Sequence, residues 1–147
     1  MTIQDLLEAG REPAPVTRFG AMLAAAAAAP LESMTIDMAV GDAVCQIVVT
    51  EIRGREWCNL QDRAGLPRPG FRTDYELGCD ADAFLAGYPV DRISCDGVNP
   101  TETEWRELCD LMDATTCSDI IAAIWWIHIG QPRQNLAALK AAGGRNE

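Results

Sequence analysis

Residues Cys117 to Gly130 read CSDIIAAIWWIHIG, and the ten residues from Ile120 to Ile129 carry no charge and one polar side chain, His128. Read as a helix, the segment does not keep its apolar residues on one stripe. Ile120, Ile124 and Ile127 mark one side, Ile121, Trp125 and His128 the next, and Ala122, Trp126 and Ile129 close most of the circle. A helix that is hydrophobic all round is enclosed on every side or spans a membrane. Ten residues are about half of the ~20 needed to cross a bilayer, so enclosure is the reading, and no membrane partner is expected. Two adjacent indoles on a helix point roughly 100° apart, so one small core can hardly take both. Part of this helix is therefore expected to be covered by a second copy of the chain or by another protein. The residues expected at that surface are Ile121, Ile124, Trp125, Trp126, His128 and Ile129.

The rest of the chain is large enough to supply a core of its own. At 147 residues it fits one ordinary domain, 1–147. Its formal charge of −10, with Lys and Arg scattered and forming no run, argues against a nucleic-acid partner. Six cysteines, Cys45, Cys58, Cys79, Cys95, Cys109 and Cys117, form no CxxC pair, and each lies in or beside an apolar segment. Free Cys serves there as a small hydrophobe, so reduced thiols in a cytoplasm are expected. Arg18 followed by FGAMLAAAAAAP resembles a secretory signal, but it begins behind Asp5, Glu8 and Glu12 and its centre is nearly all Ala. A small-surfaced helix is the better reading.

Along the chain, Thr2 can cap a short helix ended by Gly10, and REPAPV (11–16) is a proline-punctuated connector. Thr17 to Ala29 should be helical and stopped by Pro30, which completes a helical leader over 1–30. The one convincing β signal follows at 34–52. Met34, Ile36, Met38 and Val40 alternate with Thr35, Asp37 and Ala39, Gly41-Asp42 is a two-residue turn, and Ala43 to Ile52 forms the return strand. A lone hairpin is marginal in water, so its apolar face must lie on helices or pair with another strand, and its outer edge is open to a partner strand.

Residues 54–142 read as mainly helical. Gly54 to Ala64 carries Trp57, Leu60, Gln61 and Ala64 along one line, with Gly65 as its stop. Leu66 to Gly78 is expected to be irregular. Asp80 or Asp82 starts a helix with Phe84, Leu85 and Tyr88, and Pro89 kinks it or begins a second short turn. Thr101 and Glu104 stand at capping-box spacing behind Pro100, and Trp105, Leu108, Cys109 and Met112 follow at i, i+3, i+4, i+7. Thr116 and Asp119 repeat the capping spacing. Gly130 should end the apolar helix and Pro132 open a last one, giving three antiparallel neighbours. The expected fold class is α+β, mostly α, with N-terminal helices, one hairpin and a C-terminal three-helix group.

Chemistry is thinly represented. His128 has no thiol beside it and no local Cys-His signature, and an imidazole among Ile and Trp tends to stay neutral. The Cys, His and Asp spacings match no zinc or EF-hand pattern, and the glycines make no phosphate loop. No catalytic residue, no metal and no cofactor are expected.

Three stretches carry a family resemblance: EWCNLQDRAGLPRPG, FLAGYPVDRIS and NPTETEWRELCDLMDATTCSDIIAAIWWIHIG. Together they resemble the tail assembly chaperones of long-tailed actinobacterial phages. In that family a strand leads into a Trp-bearing helix and a Pro-rich turn, then a Phe-containing helix, a Pro-led helix start and an apolar helix with a late aromatic. Trp57, Leu60, Pro67, Arg68, Phe84, Pro100 and Trp125 occupy those places here, and DLLEAGREPAPV is similar to the family's leader. The turn reads GLPRPG in place of a paired-proline form, His128 stands where Asn is frequent, and the alanines of 21–29 have no counterpart. The resemblance implies a non-enzymatic protein in the host cytoplasm that binds the tape-measure protein and helps recruit the tail-tube protein. It implies the short, non-frameshifted form of such a chaperone, and self-association into a homo-oligomer is expected. The rival reading is a structural virion component such as a head–tail connector or minor tail protein.

Overall fold

The computed structural model describes Ile3 and residues 17–143. The expected first helix and the REPAPV connector lie outside these residues, apart from Ile3, which is helical. Where one domain is expected, the chain divides into two compact units, Met1–Pro30 and Leu31–Glu147. The division falls at the end of the alanine-rich leader. In the first unit, helix α1 spans Arg18–Ala28 and begins on Thr17, whose hydroxyl accepts the Gly20 N–H at 2.9 Å.

The second unit is α+β and mostly α. Strands β1 (Ser33–Val40) and β2 (Ala43–Thr50) form the expected hairpin, in register from Ser33↔Thr50 to Val40↔Ala43. Gly41 takes φ +60 and Asp42 does not take a positive φ. That is the pattern of a turn with glycine at its first central position, whose twist matches that of paired strands. Ile36 pairs with Ile47 and Met38 with Cys45 on the face turned to the core. A third strand, β3 (Ile93–Cys95), pairs antiparallel with β2 and was not expected from the sequence. Three residues are too few to show a period. The Asp96 carboxylate accepts the Gln46 N–H at 2.7 Å while the Asp96 N–H donates to the Gln46 carbonyl at 2.9 Å, and these bonds pin the short strand.

Helix α2 (Gly54–Ala64) ends at Gly65 as its spacing predicts, burying Leu60 and half-burying Trp57. The next stretch departs from expectation, because Arg72–Leu77 forms a short helix, α3. A buried ion pair holds it in place. Asp74 is 0% exposed and takes Arg68 through Nε at 2.8 Å and Nη2 at 3.0 Å, the Arg68 N–H at 2.9 Å and the Ala81 N–H at 3.2 Å. Bonding to Arg68 holds the carboxyl well below the usual carboxylate range, against the opposing effect of burial. The same guanidinium lies 4.0 Å over the Phe71 ring and reaches Asp82 at 2.9 Å. Helix α4 (Ala81–Ala86) is capped by Asp80 and ended by Gly87, so Tyr88 falls outside it, and Val90–Arg92 adds a 3-10 turn before β3.

Helix α5 (Glu102–Leu111) starts with the full capping box. Thr101 accepts the Glu104 N–H at 3.1 Å and Glu104 accepts the Thr101 N–H at 3.0 Å. Its Trp105 is 0% exposed and donates Nε1–H to the Leu85 carbonyl at 2.8 Å, tying α5 to α4. Helix α6 (Ala114–Trp125) starts earlier than its Thr116/Asp119 spacing predicts. Asp113 is the cap, because its carboxylate takes both the Thr116 N–H at 2.7 Å and the Thr116 hydroxyl at 2.8 Å. Gly130 does not end the helix. Trp126–Gly130 forms a π turn and α7 (Gln131–Gly143) continues from it, so the expected three antiparallel neighbours are two helices, the second extended. Helix α6 packs on β1 and β2, which gives the hairpin the apolar cover it requires.

Candidate functional site

The apolar segment is divided between core and surface. Ile120, Ile121, Ile124 and Ile127 are buried, which corrects the expectation that Ile121 and Ile124 meet a partner: both are spent on the core. Trp125 is half-buried against that core, while Trp126 remains 38% exposed. Ile129 is half-buried and Ala122 is exposed. The two indoles share one support. A Cβ placed on Gly130 would lie 2.6 Å from Cε3 of Trp126 and 2.7 Å from Cζ3 of Trp125. Both rings therefore lie against the bare backbone of Gly130, and glycine stands there to make room rather than to stop the helix.

His128 is part of the frame. The Ile52 N–H donates to its Nε2 at 3.0 Å, so that nitrogen carries a lone pair and Nδ1 carries the proton. Nδ1–H then donates to the Ile124 carbonyl at 2.7 Å. The ring stacks on Trp57 at 4.6 Å and meets the edge of Tyr88 at 6.4 Å, while Trp57 also contacts Phe84 at 4.8 Å. Tyr88 in turn donates its hydroxyl to the Thr50 carbonyl. This cluster locks the end of α6 to the end of β2. Burial pushes the His128 pKa below its ordinary value. With both nitrogens occupied, the ring has no lone pair with which to take a proton from a nucleophile.

The buried and half-buried thiols Cys79, Cys95 and Cys109 are equally quiet. All six cysteines are free, Cys79 is buried and Cys58 exposed. Burial pushes Cys79 and Cys95 up to about 11 and Cys109 up to about 12, so these are protonated and poorly nucleophilic at neutral pH. Among the described residues no cluster of His, Cys, Asp or Glu could hold a metal ion, and no helix is long and apolar enough to cross a membrane.

What lies uncovered is apolar. No residue of α7 is buried, and Leu136 and Leu139 are 52% and 69% exposed. With Ile127 and Pro132 they border a shallow groove whose other side carries Glu32 and Glu51. A lone helix of this length is marginal in water, and α7 persists because it extends one already formed. Sequence reasoning missed this surface: it opened a last helix at Pro132 and set it as an antiparallel neighbour of the apolar one. Trp126 and Ile129 remain the expected site residues with surface to offer, beside half-buried Trp125. Comparison with protein-family models, curated proteins and solved structures finds no match to this chain.

Proposed function

We propose that this protein is a phage tail assembly chaperone of the short, non-frameshifted kind, acting by binding and not by catalysis. In this reading it works in the host cytoplasm, holds the apolar tape-measure protein in solution and helps recruit the tail-tube protein. One observation carries the physical side of the reading. An acidic chain of net charge −10 keeps Leu136 and Leu139 uncovered where, with Ile127 and Pro132, they border one groove. Exposed apolar side chains grouped in this way mark a protein-binding surface. The resemblance, which covers most of residues 44–130, supplies the identity of the partners, and the same surface supports self-association when no partner is bound.

The test is co-expression with the long helical protein encoded downstream, with and without this chain. The reading expects that protein to move into the soluble fraction and to co-purify. Leu136→Ser with Leu139→Ser should weaken co-purification at unchanged helix content, whereas Trp125→Ala removes core packing and is the poorer probe. A downstream protein that stays insoluble in both cases would refute the reading. Mass spectrometry of purified particles separates the rival, because a head–tail connector or minor tail protein is present there and a chaperone is absent.

A further inference from the structure

The sheet order β1-β2-β3 leaves β1 as an edge, paired among the described residues only with β2. Beside that edge runs a second groove, of about 600 Å³, between β1 and α6. Met34 and Ile36 form one wall, and Ala122, Ala123 and Trp126 form the other. An open edge offers a row of backbone N–H and C=O groups, and a groove beside it receives the alternate side chains of an added strand. The charges in this groove have one sign. Asp37 and Asp119 line it, no Lys or Arg does, and neither carboxylate has an ion-pair partner among the described residues. A second copy of β1 fits poorly, because SMTIDMAV carries Asp37 and no base, so self-pairing adds carboxylate to carboxylate.

We infer that the β1 edge and its groove bind an extended segment of another protein in which apolar residues alternate with Lys or Arg. The segment adds to β1 as a fourth strand. Its apolar side chains enter between Ile36 and Trp126, and its cations, which alternate to the other face, meet Asp37. This deepens the chaperone reading by giving the partner a strand-forming, basic docking segment, distinct from whatever covers α7.

The probes are two synthetic decapeptides, one alternating Val with Lys and one alternating Val with Glu, titrated into the full-length protein at low salt. The Val/Lys peptide should quench or shift tryptophan emission, protect β1 amides from hydrogen exchange and bind at least tenfold tighter than the Val/Glu peptide. The variant Asp37→Asn should lose about fivefold in affinity, and the loss should shrink in 0.5 M salt. Equal binding of the two peptides, or protection confined to residues outside β1, overturns the inference. Failure here with success in co-expression would place the long partner elsewhere on the chain and leave the chaperone reading standing.

Discussion

Acidification from pH 7.5 to 5.5 should destabilise the protein through one side chain. His128 is the only histidine, and histidine is the residue whose ordinary pKa, about 6.5, lies in that interval. In the folded chain burial disfavours its imidazolium, outweighing the attraction of the Glu51 carboxylate and the favourable bond to the Ile124 carbonyl. Geometry acts in the same direction as burial, because a proton on Nε2 would face the Ile52 N–H and leave that donor without an acceptor. The folded pKa is therefore below the unfolded one. As pH falls through about 6.5 the unfolded chain takes a proton that the folded chain refuses, so the unfolded state binds more protons and stability falls. The contribution is fully present above the unfolded pKa and is lost as pH drops toward the folded one. One proton limits the slope to about 1.4 kcal/mol per pH unit. Asp74, Glu104 and Asp113, all held below their ordinary values, lose their contributions only below about pH 4.5 and leave the window to His128. Urea unfolding followed by tryptophan emission at pH 7.5, 6.5 and 5.5 reads the slope, and ring nitrogen shifts read the tautomer. His128→Gln, which can still accept and donate, should be less stable at pH 7.5 and flat across the window. A wild-type midpoint that does not move, or an imidazole pKa at or above about 6.5, would refute the reasoning.

Two further perturbations test the frame. Gly130→Ala gains about 1 kcal/mol of helix propensity, yet its methyl would lie 2.6 and 2.7 Å from the two indoles. The net expectation is a loss of about 1–2 kcal/mol in urea with altered tryptophan emission, and a plain gain would contradict the shared support. Arg68→Ala strands the Asp74 carboxylate, which is 0% exposed, and should cost about 3 kcal/mol at neutral pH, shrinking in acid as the carboxyl takes up a proton. Thermal unfolding of the variant at pH 7 and pH 4 checks both the size and the trend.

Local chemistry was legible in the sequence where a few adjacent residues decide the outcome. The Gly41-Asp42 turn, the Thr101/Glu104 capping box, the Gly65 stop and the alternation from Met34 to Val40 all depend on neighbours in the chain. What escaped depends on distant partners. Helix α3 starts on Phe71 with no side-chain cap and is held by Asp74 meeting Arg68 and Ala81; strand β3 exists because Ile47 to Val49 offer it an edge. The start of α6 was misread for a subtler reason. Asp113 and Thr116 both satisfy the capping pattern, and Thr116 yields by spending its own hydroxyl on Asp113. Of the candidate site, the division between Trp125 and Trp126 followed from helix geometry, whereas the uncovered face of α7 did not.

The reason that face was hidden lies in the π turn. Successive residues of an α-helix advance by about 100°, so in an uninterrupted helix Leu136 and Leu139 would point well away from the side that carries Ile120, Ile124 and Ile127. The sequence instead points to a helix end at Gly130, on the ordinary stop and start signals of glycine and proline. The wide turn at Trp126–Gly130, closed by the Gln131 N–H on the Trp126 carbonyl, absorbs one extra residue and sets the phase back by about 100°. Pro132, Leu136 and Leu139 then fall in line with Ile124 and Ile127, and together with Ile127 they border the same groove. The segment is thus one apolar face in two halves, the first covered by the sheet and the second carried beyond it. An apolar face carried past its own cover is one that a second chain can complete, and this continuity fits the proposed binding role better than two exposed leucines alone would.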